Sequence, residues 1–252
     1  MERTLPLLDL LDAHKVRATF FCVMGSDATV PEIVRLRLLA SKEHKSPINI
    51  GQRGGPVTLA RSVLRAGPVG HAHPELLREI VDRGHELQPH GWSHIQWQRN
   101  LANIDPDAHL ARCAWHYQRI LGHPPDGFAS PGRTCDERAL AAFDRFGLSY
   151  AGDLDGDRPF RPDGHHHLQL PVTRFETIGQ LRRAGMDDEQ IAELYLDDIA
   201  ANPDYCCLFE HPDDLGPAEH AILAHVFDRL AEQGSEPITC REQAQRWGQR
   251  AP

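Results

Sequence analysis

The chain has 252 residues, 40% hydrophobic and 25% charged, with 27 Lys and Arg against 36 Asp and Glu for a net charge of −9. These values exclude a disordered chain and general affinity for nucleic acid, and no run approaches the roughly 18 apolar residues of a membrane span. The length fits one α/β barrel kept as a single domain over residues 1–252, able to bury about three quarters of its unfolded surface.

In chain order, Leu7, Leu8, Leu10 and Leu11 repeat at helical spacing after Pro6, so the chain opens on a helix. Asp9 and Asp12 interrupt any signal-peptide core, which makes a cytoplasmic location the expectation. Ala18 to Val23 reads as a buried strand. HPELLREIVDRG follows as a helix with Pro74 near its start and Gly84 at its end, and His85 to Gln88 as the next strand. Asp105 caps a helix with Pro106 in first position that stops at Gly122, and Asp136 to Phe146 forms another stopped by Gly147. LSYAG and LQLPVT read as strands, MDDEQIAELYLDDIAAN as a helix, YCCLFEH as a strand, PAEHAILAHVFDRLAEQG as a helix, and PITC as a last short strand before a helical tail. Repeated helix and strand units with short Gly-marked turns predict a parallel sheet of barrel-like closure, with catalytic groups where strands end.

One segment breaks the rhythm. Residues 31–65 are rich in Pro, Gly and Ser and carry seven Lys and Arg against Glu32 and Glu43, which reads as an insertion or lid. It is either a solvated loop or a patch for a phosphate or an anionic membrane surface. The six cysteines show no CxxC pair and read as ordinary buried thiols.

Histidine is over-represented: the 16 outnumber Met, Trp and Tyr together, which directs attention to metal ligands. The sharpest signal is His90-Gly-Trp-Ser-His94, directly after a predicted strand. Gly91 stands where a helical HExxH protease has Glu, but a turn at a strand end brings two imidazoles to one ion. His211 closes another predicted strand, and Asp153, Asp155 and Asp157 follow a third. A histidine near a metal can protonate a leaving group, and a carboxylate beside it can hold its ring. His71 and His73 flank a helix start. His165 to His167 read as a surface loop, and Trp92, Trp97 and Trp115 either line a groove or pack in the core.

The order of these segments resembles the polysaccharide deacetylase family, the NodB-homology carbohydrate esterases. GHAHPELLRE, PHGWSHIQWQ, DRPFRP and LQLPVT bring the chain closest to its branch of bacterial 4-deoxy-4-formamido-L-arabinose-phosphoundecaprenol deformylases, a likeness running from Thr4 to about Thr239. The resemblance implies a distorted (β/α) barrel of the NodB-homology type that uses one divalent ion, Zn with Mn or Co as alternatives, to hydrolyse the N-formyl or N-acetyl group of an amino sugar. That sugar is expected to be lipid-linked, on undecaprenyl phosphate, at the inner face of an anionic membrane. His90 and His94 match the metal histidines. His211 matches the general acid, Asp153 its supporting carboxylate, and Arg133 falls in the third-motif region, where Ala129 replaces the usual Arg. His71, Trp92 and Pro131 are expected at the substrate.

Family members open on a strand ending in an Asp-x-Asp motif, which supplies the base and a third metal ligand; this chain opens on the helix, so a barrel lacking its first strand is expected. Either the start lies upstream, or the protein is a non-catalytic relative that binds carbohydrate. A peptidoglycan or chitin-type deacetylase is the other enzymatic alternative.

Overall fold

The computed structural model describes residues 3–26 and 68–249; the basic segment 31–65 lies outside them. Helix α1 spans Thr4–Ala13, strand β1 Thr19–Cys22, α2 Pro74–Asp82, β2 Glu86–Pro89, α3 His94–Asn100, α4 Pro106–Leu121, β3 Gly127–Phe128, α5 Glu137–Arg145, β4 Tyr150–Ala151 and β5 Leu168–Gln169. Four helices complete the chain: α6 Ile178–Arg183, α7 Asp188–Ala201, α8 Pro217–Glu232 and α9 Cys240–Gly248. None of them is long and apolar enough to cross a membrane.

Capping chemistry sets the helix ends. Asp105 accepts from Asp107 N–H, and Pro106 occupies the first turn of α4, where no backbone donor is needed. Asp136 accepts from Ala139 N–H to start α5. Gly122 ends α4 at φ +84°, a left-handed conformation that a side chain would strain.

Two predicted strands are absent. Residues 205–211 carry no strand, because the pairing reduces to one point: Thr173 N–H donates to Cys207 O (2.9 Å) and Cys207 N–H to Thr173 Oγ1 (3.0 Å), with no repeating ladder. PITC is no strand either, since Thr239 caps α9 in a reciprocal box with Glu242 and Cys240 is already helical. Helices α3 and α6 and strand β3 were not anticipated.

The described residues form two compact units, each built from separate segments: residues 21–26 and 68–78 with 87–151, and residues 3–20, 79–86 and 152–249. In the first, β3 and β4 run parallel, with Gly127 opposite Tyr150 and Phe128 opposite Ala151. An added Cβ at Gly127 would lie 2.2 Å from the Tyr150 ring, so only glycine fits. Trp97, fully buried, packs on Phe128 and Phe143 with ring centroids 5.2 and 6.4 Å away, and its Nε1–H donates to Thr134 O. Buried Gln88 accepts from both Asp126 N–H and Gly127 N–H (3.1 Å each), satisfying backbone donors at the start of β3.

In the second unit, Leu7, Leu11, Ile178, Ile191, Tyr195, Ile222, Leu223 and Val226 form one core under α1, α6, α7 and α8. Gln169 repeats the device of Gln88, its Oε1 accepting from Asp153 N–H and Leu154 N–H (3.0 Å each). In the first unit His90 N–H donates to Cys22 O, and in the second Glu86 N–H donates to Ala18 O.

Candidate metal site

In the first unit, the segment after β2 is held against residues 24–26 by backbone bonds. Met24 N–H donates to Gly91 O (2.9 Å), Ser26 N–H to Trp92 O (3.0 Å) and His94 N–H to Ser26 O (3.2 Å). Gly91 sits at φ +83°, and an added Cβ there would meet Pro131 at 3.0 Å. Ser93 caps α3, so His94 is the first helical residue.

This turn sets the rings of His90 and His94 with centroids 5.3 Å apart. His90 Nδ1 lies 2.7 Å from Ala129 O. A carbonyl oxygen only accepts, so Nδ1 carries the hydrogen, and in the neutral ring Nε2 is then the lone-pair nitrogen, the tautomer in which a histidine binds a metal. Two imidazoles on one tetrahedral ion, at about 2.0–2.1 Å per Zn–N bond, place their ring centroids roughly 5 Å apart. The donor chemistry and spacing of the pair thus fit a divalent ion.

Around the pair, Pro131 packs beside Gly91 and opens a single turn, Pro131–Arg133, in which Gly132 (φ +59°) and Arg133 (φ +53°) are both left-handed. At Arg133, with its Cβ, this conformation stores strain, a feature that clusters at functional sites. His71 donates from Nδ1 to Met24 O (2.8 Å) for the same reason as His90, and its ring stacks on Trp92, centroids 5.3 Å apart. Trp92 also faces His116 of α4 at 4.7 Å, and the Arg112 guanidinium lies 3.9 Å from its ring centre. Arg112, His116 and Ala129 were not among the predicted site residues. The first two were foreshadowed by their spacing on the predicted helix, whereas a backbone carbonyl leaves no mark in a sequence.

In the second unit, Asp153 is 3% exposed. His211 does not end a strand: it precedes the short turn Pro212–Asp214, is 54% exposed at its side chain, and has Nδ1 4.0 Å from the Asp214 carboxylate. Glu210 turns inward instead, its Oε1 accepting from Ile178 N–H (2.9 Å) and from the Tyr195 hydroxyl. Burial pushes the Glu210 carboxyl above its ordinary pKa, which those two bonds only partly offset. His167 is fully buried beside Gln169, which corrects its expected place on a surface loop. All six cysteines are free.

The polysaccharide deacetylase family model matches residues 1–151. A Shewanella sediminis protein named "Probable 4-deoxy-4-formamido-L-arabinose-phosphoundecaprenol deformylase ArnD" is 29% identical over 235 residues, covering 91% of this chain and 75% of its own. The crystal structure of a "probable Polysaccharide deacetylase" from Pseudomonas aeruginosa PAO1 superimposes with TM-score 0.67 at 19% identity, covering 98% of this chain and 72% of its own. A family 4 acetyl xylan esterase from Clostridium thermocellum, solved with a cobalt ion, gives TM-score 0.53 at 18% identity over 98% of this chain and 85% of its own.

Proposed function

Because the chain belongs to the polysaccharide deacetylase family and has its α/β fold of the NodB type, we propose that it is a divalent-metal hydrolase removing an N-formyl or N-acetyl group from an amino sugar. The observation that carries this reading is the His90–His94 pair, with ring spacing suited to one ion and His90 fixed in the metal-binding tautomer by Ala129 O. The favoured substrate is a formamido-arabinose linked through phosphate to a polyprenol, met at the inner membrane face, on the strength of the deformylase relative. Zn is the favoured ion, with Mn or Co as alternatives.

His90 and His94 would hold the ion, which when bound supplies Lewis-acid polarisation of the amide carbonyl and a water of lowered pKa. His71 and Trp92, stacked on one another, would contact the sugar at their exposed edges, and Pro131 keeps the turn at Gly91 in place. In this reading Arg133 offers its guanidinium to the carbonyl oxygen as negative charge grows there. By family resemblance His211 is assigned the role of proton donor to the departing nitrogen, since an amide nitrogen leaves poorly as an anion, with Asp153 as its supporting carboxylate.

The test is metal content together with turnover. Purified protein should carry one divalent ion per chain and release formate or acetate from an N-acylated amino sugar, whereas His90→Ala and His94→Ala should lose both. Full metal content in both variants would overturn the site, and metal binding without turnover on formyl or acetyl substrates would favour a carbohydrate-binding relative.

A further inference from the structure

Helix α4 carries a second constellation beside the histidine pair. From Ala108 to Pro125 the chain contains no Asp or Glu, but it has Arg112, Arg119 and three histidines. The Arg112 guanidinium lies 3.9 Å from the centre of the Trp92 ring, and that of Arg119 lies 4.7 Å from the centre of Trp115. His116 joins the two, its ring 4.7 Å from Trp92 and edge-on to Trp115 at 4.5 Å, with His71 at 5.2 Å. Trp115 is 54% exposed, the most exposed of the large hydrophobic residues described.

Among the described residues neither arginine has a hydrogen-bond or ion-pair partner. Other arginines do: Arg145 pairs with Asp107, Arg174 with Asp198, and Arg83 with Asp9, Asp12 and Glu79. A guanidinium stacked on a ring uses its face and leaves its N–H edge for an anion, in the planar fork that matches phosphate. Burial, and then the nearby His71, Arg112 and Arg119, hold the His116 imidazole below its ordinary pKa, as expected where cations gather without an acidic partner.

The geometry points to a phosphate-binding subsite centred on Arg112, with Arg119 further along the same helix, which takes the phosphate ester of the sugar. This rests on the proposed amino-sugar substrate and adds to it the groups that recognise the phosphate. Trp92 lies between His90 and His94 in sequence, so the subsite adjoins the pair through one residue. Binding should therefore favour a phosphorylated sugar over the same sugar without its phosphate.

The test measures binding without turnover, by calorimetry on metal-free full-length protein, using N-acetylglucosamine 1-phosphate and N-acetylglucosamine as probes. Wild type should prefer the phosphorylated sugar by about tenfold or more, as charge-assisted contacts to a guanidinium imply, and added salt should erode the preference. Arg112→Gln with Arg119→Gln should abolish the preference while leaving the melting temperature in place. Arg112→Lys, which keeps charge but loses the fork, should retain only part of it. Equal binding of the two sugars by wild type, or an undiminished preference in the double variant, would overturn the subsite. So would arginine-dependent binding to phosphatidylglycerol vesicles with no preference among the soluble sugars, which would assign the patch to a membrane. Phosphate preference in a protein that holds no metal and hydrolyses nothing would sink the proposed function alone, and amide hydrolysis without phosphate preference would sink this inference alone.

Discussion

Gly25 has no chemistry of its own, yet the placement of the histidine pair should depend on it. A Cβ added there would lie 2.3 Å from Trp92 O and 2.6 Å from Cε2 of the same residue. Ordinary C···O approach is about 3.3 Å, so Gly25→Ala demands a displacement of about 1 Å. The obstacle includes backbone, which cannot rotate aside, and Trp92 O is itself the acceptor of Ser26 N–H. The displaced segment carries His90 and His94, whose register is held by Met24 N–H on Gly91 O and His94 N–H on Ser26 O. Overpacking of this kind costs about 1–3 kcal/mol. For a chain of this size that is a fall of roughly 2–12 °C in melting temperature. A shift of this size at a metal ligand should also weaken metal binding by about tenfold or more, in the range seen when groups that orient ligands are lost. Thermal denaturation followed by circular dichroism, with metal titration of the same sample, reads both quantities. If Gly25→Ala melts with wild type and binds metal equally well, the close approach of Trp92 does not position the pair.

Three further outcomes follow from the packing. Gln88→Leu strands two backbone donors, Asp126 N–H and Gly127 N–H, at about 1–3 kcal/mol each, and amide exchange at Gly127 should rise; unchanged protection there would contradict the assigned role. Trp97→Ala removes a fully buried ring and should cost about 3–5 kcal/mol in denaturant unfolding, whereas a loss under one would mean the ring is not central to its core. Burial raises the Glu210 pKa in the folded state, so the native protein holds that proton more tightly than the unfolded chain. Stability should then fall as pH rises from the ordinary carboxylate range through the raised value, and level off above it. Glu210→Gln, which keeps the acceptor for Ile178 and Tyr195, should remove that part of the slope, and an identical pH profile in the variant would refute it.

Most helices were legible because their signals are local. Asp105 with Pro106, Asp136, Gly84, Gly122, Gly147 and Gly234 sit at the ends where spacing placed them, and each acts on its own few residues. The strand at 205–211 and PITC were misread because β-branched or apolar composition says only that a segment can pair. Pairing needs a partner, and Thr173 offers Cys207 a single point of contact. At Thr239 the overlooked signal was local after all: Thr-x-x-Glu is a capping box and outweighed the strand-like residues before it.

The histidine pair was readable from its spacing and its position after a strand, since residues four apart across a turn stay near one another. Its tautomer was not. That depends on Ala129 O, 39 positions away in the chain, and a backbone carbonyl has no sequence signature. The same holds for Arg112 and His116 against Trp92, brought together by packing between α4 and the turn after β2. By itself the sequence determined which segments coil, where they stop and which residue types can bind a metal, because those properties are carried by side chains and near neighbours. Only the tertiary structure decided which lone pair, which guanidinium edge and which ring face are presented, because groups far away in the chain set each of them.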